Sequence, residues 1–190
     1  EPVAFKLRVR GPAWAKSAKM STATRDGDYL IIDKTFGKTN TLSVKLTDKP
    51  HLVDRPCGSK VAEYGPLVFS LPIEANVKMK EYTRANVERK YPYCDYHMES
   101  ASDWIYGFAS RSFTVEEREG DASVPFSSKN PSLVLKAELA HIDWGYEQAW
   151  DTVCAKVPNS RAALDAPQTI ELYPYGCAKL RMTEIPFVKK

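Results

Sequence analysis

Short runs of strictly alternating character, cut about every eight to twelve residues by turn signals, constrain this chain more than any other feature. Phe5, Leu7 and Val9 alternate with Lys6, Arg8 and Arg10 until Gly11-Pro12. A period of two puts the apolar side chains on one face and leaves the other wet, which is the mark of a half-buried strand. Asp26-Gly27 is a hairpin signal ahead of Tyr29-Leu30-Ile31-Ile32. The same rhythm returns at Leu42–Thr47, at Ala75–Lys80, at Trp104–Phe108 and from Leu133 to Ala140. Leu67-Val68-Phe69-Ser70-Leu71, opened by Gly65-Pro66 and limited by Pro72, carries no charge and reads as the central buried strand. No segment shows an amphipathic helix of about ten residues or more. The pattern predicts an all-β fold, an antiparallel β-sandwich of jelly-roll type, as one region over 1–190 or as two small packed units. Thr83 to Asp103 breaks the rhythm, being polar yet rich in tyrosine. A structureless loop of that length is unusual inside a compact domain, so a candidate internal boundary is set within 75–103.

Composition excludes several classes of function. The 190 residues are 43% hydrophobic and 27% charged, ordinary for a soluble chain long enough to bury a core. A net charge of +3 with scattered lysines and arginines gives no nucleic-acid footprint. No run approaches the roughly 20 apolar residues of a membrane span, and no secretory signal is present. The chain starts Glu1-Pro2 and enters a strand pattern without an initiator methionine. That start is expected of a mature protein or a piece of a longer one. Cys57, Cys94, Cys154 and Cys177 allow three pairings, and their spacing selects none. With no CxxC, and with His51, His97 and His141 dispersed, neither a metal site nor a cofactor is expected.

Glycosidic hydrolysis calls for two carboxyl groups in defined opposition. Glu116, Glu117 and Glu119 form an acidic run around Arg118 that reads as a solvated face. Asp95, Glu99 and Asp103 lie in the tyrosine-rich segment without apolar surroundings that would raise a pKa. No GxSxG, P-loop or HExxH occurs, so no catalytic residue is assigned. Saccharide binding is the stronger alternative. Sugars stack apolar C–H faces on exposed rings, and Tyr91, Tyr93, Tyr96, Trp104 and Tyr106 lie in or beside the least regular segment, where binding residues concentrate. An outward row of these rings favours that reading and inward packing removes it. Trp104, Trp144 and Trp150 are expected to be buried, as tryptophan is on average.

FKLRVRGPAWA, GDYLIIDKTFGKTNTLSVKL, YGPLVFSLPI and IELYPYGCAKLRMTEIPF occur in that order. As a set they resemble the C-terminal β-sandwich region of glycoside hydrolase family 127, the β-L-arabinofuranosidase-like bacterial enzymes. The resemblance spans most of the chain and is weakest between Thr83 and Lys129. Ser21-Thr22-Ala23-Thr24 replaces the usual Asn-Gly turn, and Phe36-Gly37-Lys38-Thr39 replaces a Trp and Gly-Asp pattern, which marks a divergent subfamily. In such enzymes an (α/α)6 barrel carries a zinc-held cysteine nucleophile and a glutamate acid/base. No barrel-like helical repeat exists here and no cysteine has that context, so no catalytic residue transfers. The resemblance implies a non-catalytic accessory sandwich partnered by a catalytic barrel, in a periplasmic or extracellular setting. The alternative is a stand-alone carbohydrate-binding module with a glycan as partner.

Overall fold

The computed structural model describes residues 1–148 and 150–189, with only the backbone described for Trp150, Asp151 and Thr152. The chain is nearly all β, with antiparallel sheets consistent with a sandwich and one sheet curled into a half-barrel. Among the described residues no helix is long and apolar enough to cross a membrane. Two compact units emerge, Glu1–Pro50 with Tyr64–Pro66, and His51–Glu63 with Leu67–Lys190. The 75–103 segment lies within the second unit.

The first unit holds β1 (Val3–Arg10), β2 (Ser17–Lys19), β3 (Thr24–Asp26), β4 (Tyr29–Phe36) and β5 (Lys45–Thr47). β4 lies between β1 and β3, in register from Val3↔Phe36 to Arg10↔Tyr29 and from Thr24↔Ile31 to Asp26↔Tyr29. Its alternate residues Leu30 and Ile32 are buried together with Phe36, and the Phe5 ring stacks on Phe36 at 4.2 Å. Gly27 turns the β3–β4 hairpin at φ 57°, where glycine meets no Cβ penalty. The predicted strand over Leu42–Thr47 is shorter in the fold: only Lys45–Thr47 finds a partner, pairing with β2, and alternation without a partner does not make a strand.

The second unit continues with β6 (His51–Asp54), β7 (Ser59–Tyr64), β8 (Leu67–Pro72), β9 (Ala75–Lys80), β10 (Tyr82–Arg84), β11 (Val87–Arg89) and β12 (Asp95–Ser100). It closes with β13 (Tyr106–Glu117), β14 (Leu133–His141), β15 (Tyr146–Glu147), β16 (Trp150–Cys154), β17 (Gln168–Pro174), β18 (Arg181–Met182) and β19 (Ile185–Pro186). Its main sheet has eight strands in the order β13-β14-β17-β8-β7-β19, with β18 added to β8 and β6 to β7. β8 is an interior strand, and Phe69, Ser70 and Leu71 are buried on both faces. Ser70 tolerates this because its hydroxyl shares a 3.0 Å hydrogen bond with Thr183. β14 is the driest element: Val134, Leu135, Ala137, Leu139 and Ala140 are at most 1% exposed. Both of its alternating sets are covered at the strand ends, while Lys136 and Glu138 keep the middle of the outer face polar.

On that polar face lies a charge ladder. Arg118 donates from Nε to Glu116 and from Nη2 to Glu171, each at 2.5 Å, and Lys136 Nζ lies 2.5 Å from Glu116. Cross-strand pairing of Lys136 with Glu171 puts these groups on one face. The predicted acidic run is therefore split, with Glu116 locked into an ion-pair network. Hydrogen bonds from Arg118 and Lys136 hold its carboxyl down at about 2.

Residues 83–103 are not a structureless loop. β9 pairs with β12 from Ala75↔Ser100 to Lys80↔Asp95, and β10 with β11 from Tyr82↔Arg89 to Arg84↔Val87. Ala85 and Asn86, with φ of 49° and 60°, form the turn between β10 and β11, a hairpin loop of the type Asn-Gly usually signals. Two-stranded ribbons expose most of both faces, which is why their sequence reads as polar and irregular.

Two outcomes are expected. Leu139→Ala should cost about 2–5 kcal/mol in denaturant unfolding, whereas Val77→Ala, on the exposed face of β9, should stay within about 0.5 kcal/mol. Glu116 has its pKa lowered from 4.5 to about 2, so its contribution is complete above the unfolded value and lost as pH falls through the folded one. Glu116→Gln should accordingly flatten the acid limb of a stability–pH curve between those two values.

Candidate functional site

The strongest candidate is a cleft in the second unit where the segment before β13 meets the segment after β14. Ile142 N–H donates to Ile105 O at 3.0 Å, tying the two segments together. Trp144 is held by its own backbone bond to Ile142 and by Nε1 donating to Ala155 O at 2.9 Å. Trp104 meets Trp144 edge-on at 5.4 Å and Tyr146 at 5.1 Å. Its Nε1 donates to the Tyr146 hydroxyl at 3.2 Å, and that hydroxyl also shares a 2.5 Å bond with Ser100 Oγ. Residues Ser100–Ile105 and Trp144–Tyr146 line a cleft of about 460 Å³. Across Tyr146 a smaller hollow of about 210 Å³ is lined by Met98, Glu99, Trp104, Cys154 and Arg181 among others.

Burial divides the rings by role. Trp104 is 6% exposed and serves as the wall behind the other two, while Tyr146 is 40% exposed and Trp144 half-buried. The rings open to the cleft are those of Tyr146 and Trp144. The ring of Trp150 lies outside the described residues.

At the cleft's edge His141 Nδ1 lies 2.6 Å from Asp165 Oδ2, and Asp165 Oδ1 accepts the His141 backbone N–H at 2.9 Å. Gln168 Nε2 donates to the same carboxylate at 3.1 Å. These bonds, led by the one from the His141 side chain, hold the Asp165 pKa below its ordinary value. His141 Nε2 faces Asp103 Oδ2 at 3.6 Å, and Asp103 lines the cleft. The Tyr106 ring stacks on His141 at 4.3 Å; its burial, then the charges of Asp103 and Asp165, push its phenol upward.

Of the five rings singled out in the sequence, only Trp104 lines this cleft. Tyr106 is 8% exposed, packed under His141. Tyr91 and Tyr93 are 70% and 79% exposed beyond the β10–β11 hairpin, and the Tyr96 hydroxyl donates to Pro92 O at 3.1 Å. Among the described residues no ring pair joins these three tyrosines into a platform. Trp144, Tyr146, Asp103 and His141 complete the site. The available signal was Trp-Gly-Tyr directly after the apolar strand ending at His141. Of the acidic residues weighed earlier, Asp103 lines the cleft, Glu99 the hollow beside it, and Asp95 accepts from Tyr82 at 3.2 Å.

All four thiols are free; Cys57 and Cys154 are exposed, Cys94 and Cys177 buried. Among the described residues no group of three or more His, Cys, Asp or Glu is arranged to hold a metal ion.

No family model matches the sequence, and no curated protein matches it. Among solved structures the chain is similar to a crystal structure of a GH127 β-L-arabinofuranosidase from Geobacillus stearothermophilus T6, with 15% identity and a TM-score of 0.49. The alignment covers 99% of this chain and 27% of that enzyme. This is a distant structural resemblance.

Tyr146→Phe should remove the acceptor of the Trp104 indole and leave a buried donor unpaired, costing about 1–3 kcal/mol. Thermal unfolding together with a change in tryptophan fluorescence checks this.

Proposed function

We propose that this chain is an accessory, non-catalytic β-sandwich region of a glycoside hydrolase of the β-L-arabinofuranosidase type, and that it contacts saccharide through the Trp144–Tyr146 cleft. The observation that carries the binding part is the pairing of a solvent-facing Tyr146 and half-buried Trp144 with the polar groups of Ser100, Ser102 and Asp103 around one concavity. Rings take the apolar face of a pyranose or furanose ring, and the hydroxyls and carboxylate take its hydroxyl groups. The hydrolase setting rests on the four sequence segments that resemble that family, and with it come a catalytic (α/α)6 barrel as partner and a periplasmic or extracellular location.

The non-catalytic reading has a geometric support. Asp103 and Asp165 have the His141 imidazole between them, and Glu116 and Glu171 are bridged by the Arg118 guanidinium. In both pairs a side chain fills the space where a scissile bond and its water would have to lie.

Affinity electrophoresis of the purified chain through gels containing arabinan, galactan or β-glucan tests the proposal. Retarded migration is expected in at least one, lost in Trp144→Ala with the fold intact by circular dichroism. Release of arabinose from an arabinofuranoside by the chain alone would overturn the non-catalytic assignment, and unretarded migration in every gel would overturn saccharide contact.

A further inference from the structure

The same cleft has a charge character that narrows its ligand, and this inference rests on the saccharide reading above. Its lining offers one carboxylate, Asp103, and no lysine or arginine among the described residues. The two serines are partly committed: Ser100 Oγ to the Tyr146 hydroxyl, and Ser102 Oγ as acceptor from the Glu74 backbone N–H at 3.0 Å. Asp103 is free to accept, since its side chain is 73% exposed and its nearest recorded partner, His141 Nε2, lies at 3.6 Å, beyond direct hydrogen-bond reach. The imidazole that faces it is not free to turn. Asp165 grips both the backbone N–H and Nδ1 of His141, so Nδ1 carries its proton toward Asp165 and Nε2 is presented toward Asp103. Tyr106 stacks on the flat of the ring and closes that side.

We infer that Asp103 is the hydroxyl-binding, specificity-determining residue of the cleft, that Asp165 and His141 are positioning residues which aim a second polar atom at the same point, and that the cleft therefore selects neutral saccharides over acidic ones. Two vicinal hydroxyls of a neutral sugar satisfy this pair, one donating to Asp103 and one bonding His141 Nε2. A uronic acid, sulfate or phosphate brings a second negative charge against Asp103, and among the described residues no lysine or arginine lines the cleft to offset it.

The test uses the purified chain with neutral arabinan, galactan and β-glucan, each beside its own derivative with primary hydroxyls oxidised to carboxylates. The neutral polymer is expected to bind at least tenfold more tightly than its oxidised form. Asp103→Asn should weaken neutral binding about tenfold and narrow the gap between the two forms. Asp165→Asn should weaken neutral binding severalfold, and His141→Gln, which keeps a polar atom, should retain more affinity than His141→Phe. The selectivity ratio is the readout that a merely structural role would leave unmoved. Equal binding of both forms, or an Asp103→Asn variant that binds as the parent does while Trp144→Ala has lost binding, overturns this inference and leaves the cleft reading standing. Binding of no polymer in either form overturns both.

Discussion

The structure of the second unit depends on the burial of β14 between β13 and β17. Five of its side chains are sealed from water, and its backbone is paired on both edges. Each fully buried leucine or valine contributes about 1.5–3 kcal/mol relative to exposure, and the ladder satisfies amides that could not be left bare at such depth. The register is correspondingly strict: a one-residue slip would bring Lys136 and Glu138 to the core face. β13 accommodates its neighbour only with a register shift between Phe108 and Phe113, whose rings meet edge-on at 6.2 Å. Local bulging of this kind bends a strand and raises its twist, in keeping with the curl of the sheet.

That anchored strand is also what builds the cleft. β14 ends at His141, whose backbone and ring are both taken by Asp165, and Ile142 then pairs with Ile105. The chain leaves the sheet at the same place on β13 and β14, so Trp104 and Trp144 arrive edge to face within three residues of the sheet's end. Their indole N–H groups bond to Tyr146 and to Ala155. A site set on the end of a packed sheet inherits its geometry from the core, which is the ordinary arrangement for loops that carry function.

Much of the fold was legible along the chain, and the failures have definite causes. Alternation at Phe5–Arg10, Tyr29–Ile32 and Leu133–Ala140 corresponds to β1, β4 and β14, because each has one face against a core and one in water. The polar ribbon over 75–103 carried no such contrast in its second half. There Ala85-Asn86 turns with positive φ in place of the glycine that would have marked a hairpin. The candidate site was legible only in part. Tyrosines at 91, 93 and 96 were conspicuous by density, yet density along a chain does not bring rings together on a surface. Trp104 is legible through its neighbourhood and is buried as expected, whereas Trp144, expected to be buried, is only half-buried, and nothing in the sequence singles out Tyr146. Asp103 and His141 are 38 positions apart, and their meeting follows from strand pairing that puts Tyr106 opposite His141.

The sequence by itself determined the class of structure: short apolar–polar alternation, broken by glycine and proline, can bury its apolar half only by forming sheets, since no helical face repeats at the needed interval. It also determined that Leu67–Leu71 forms an interior strand, because so short an uncharged run finds cover only inside a sheet. Only the tertiary structure decided which aromatic rings face solvent, which carboxylate is free, and which is spent on orienting a histidine. Those outcomes depend on register between strands distant in the chain, and register is a cooperative property of the packed sheet that no single segment encodes.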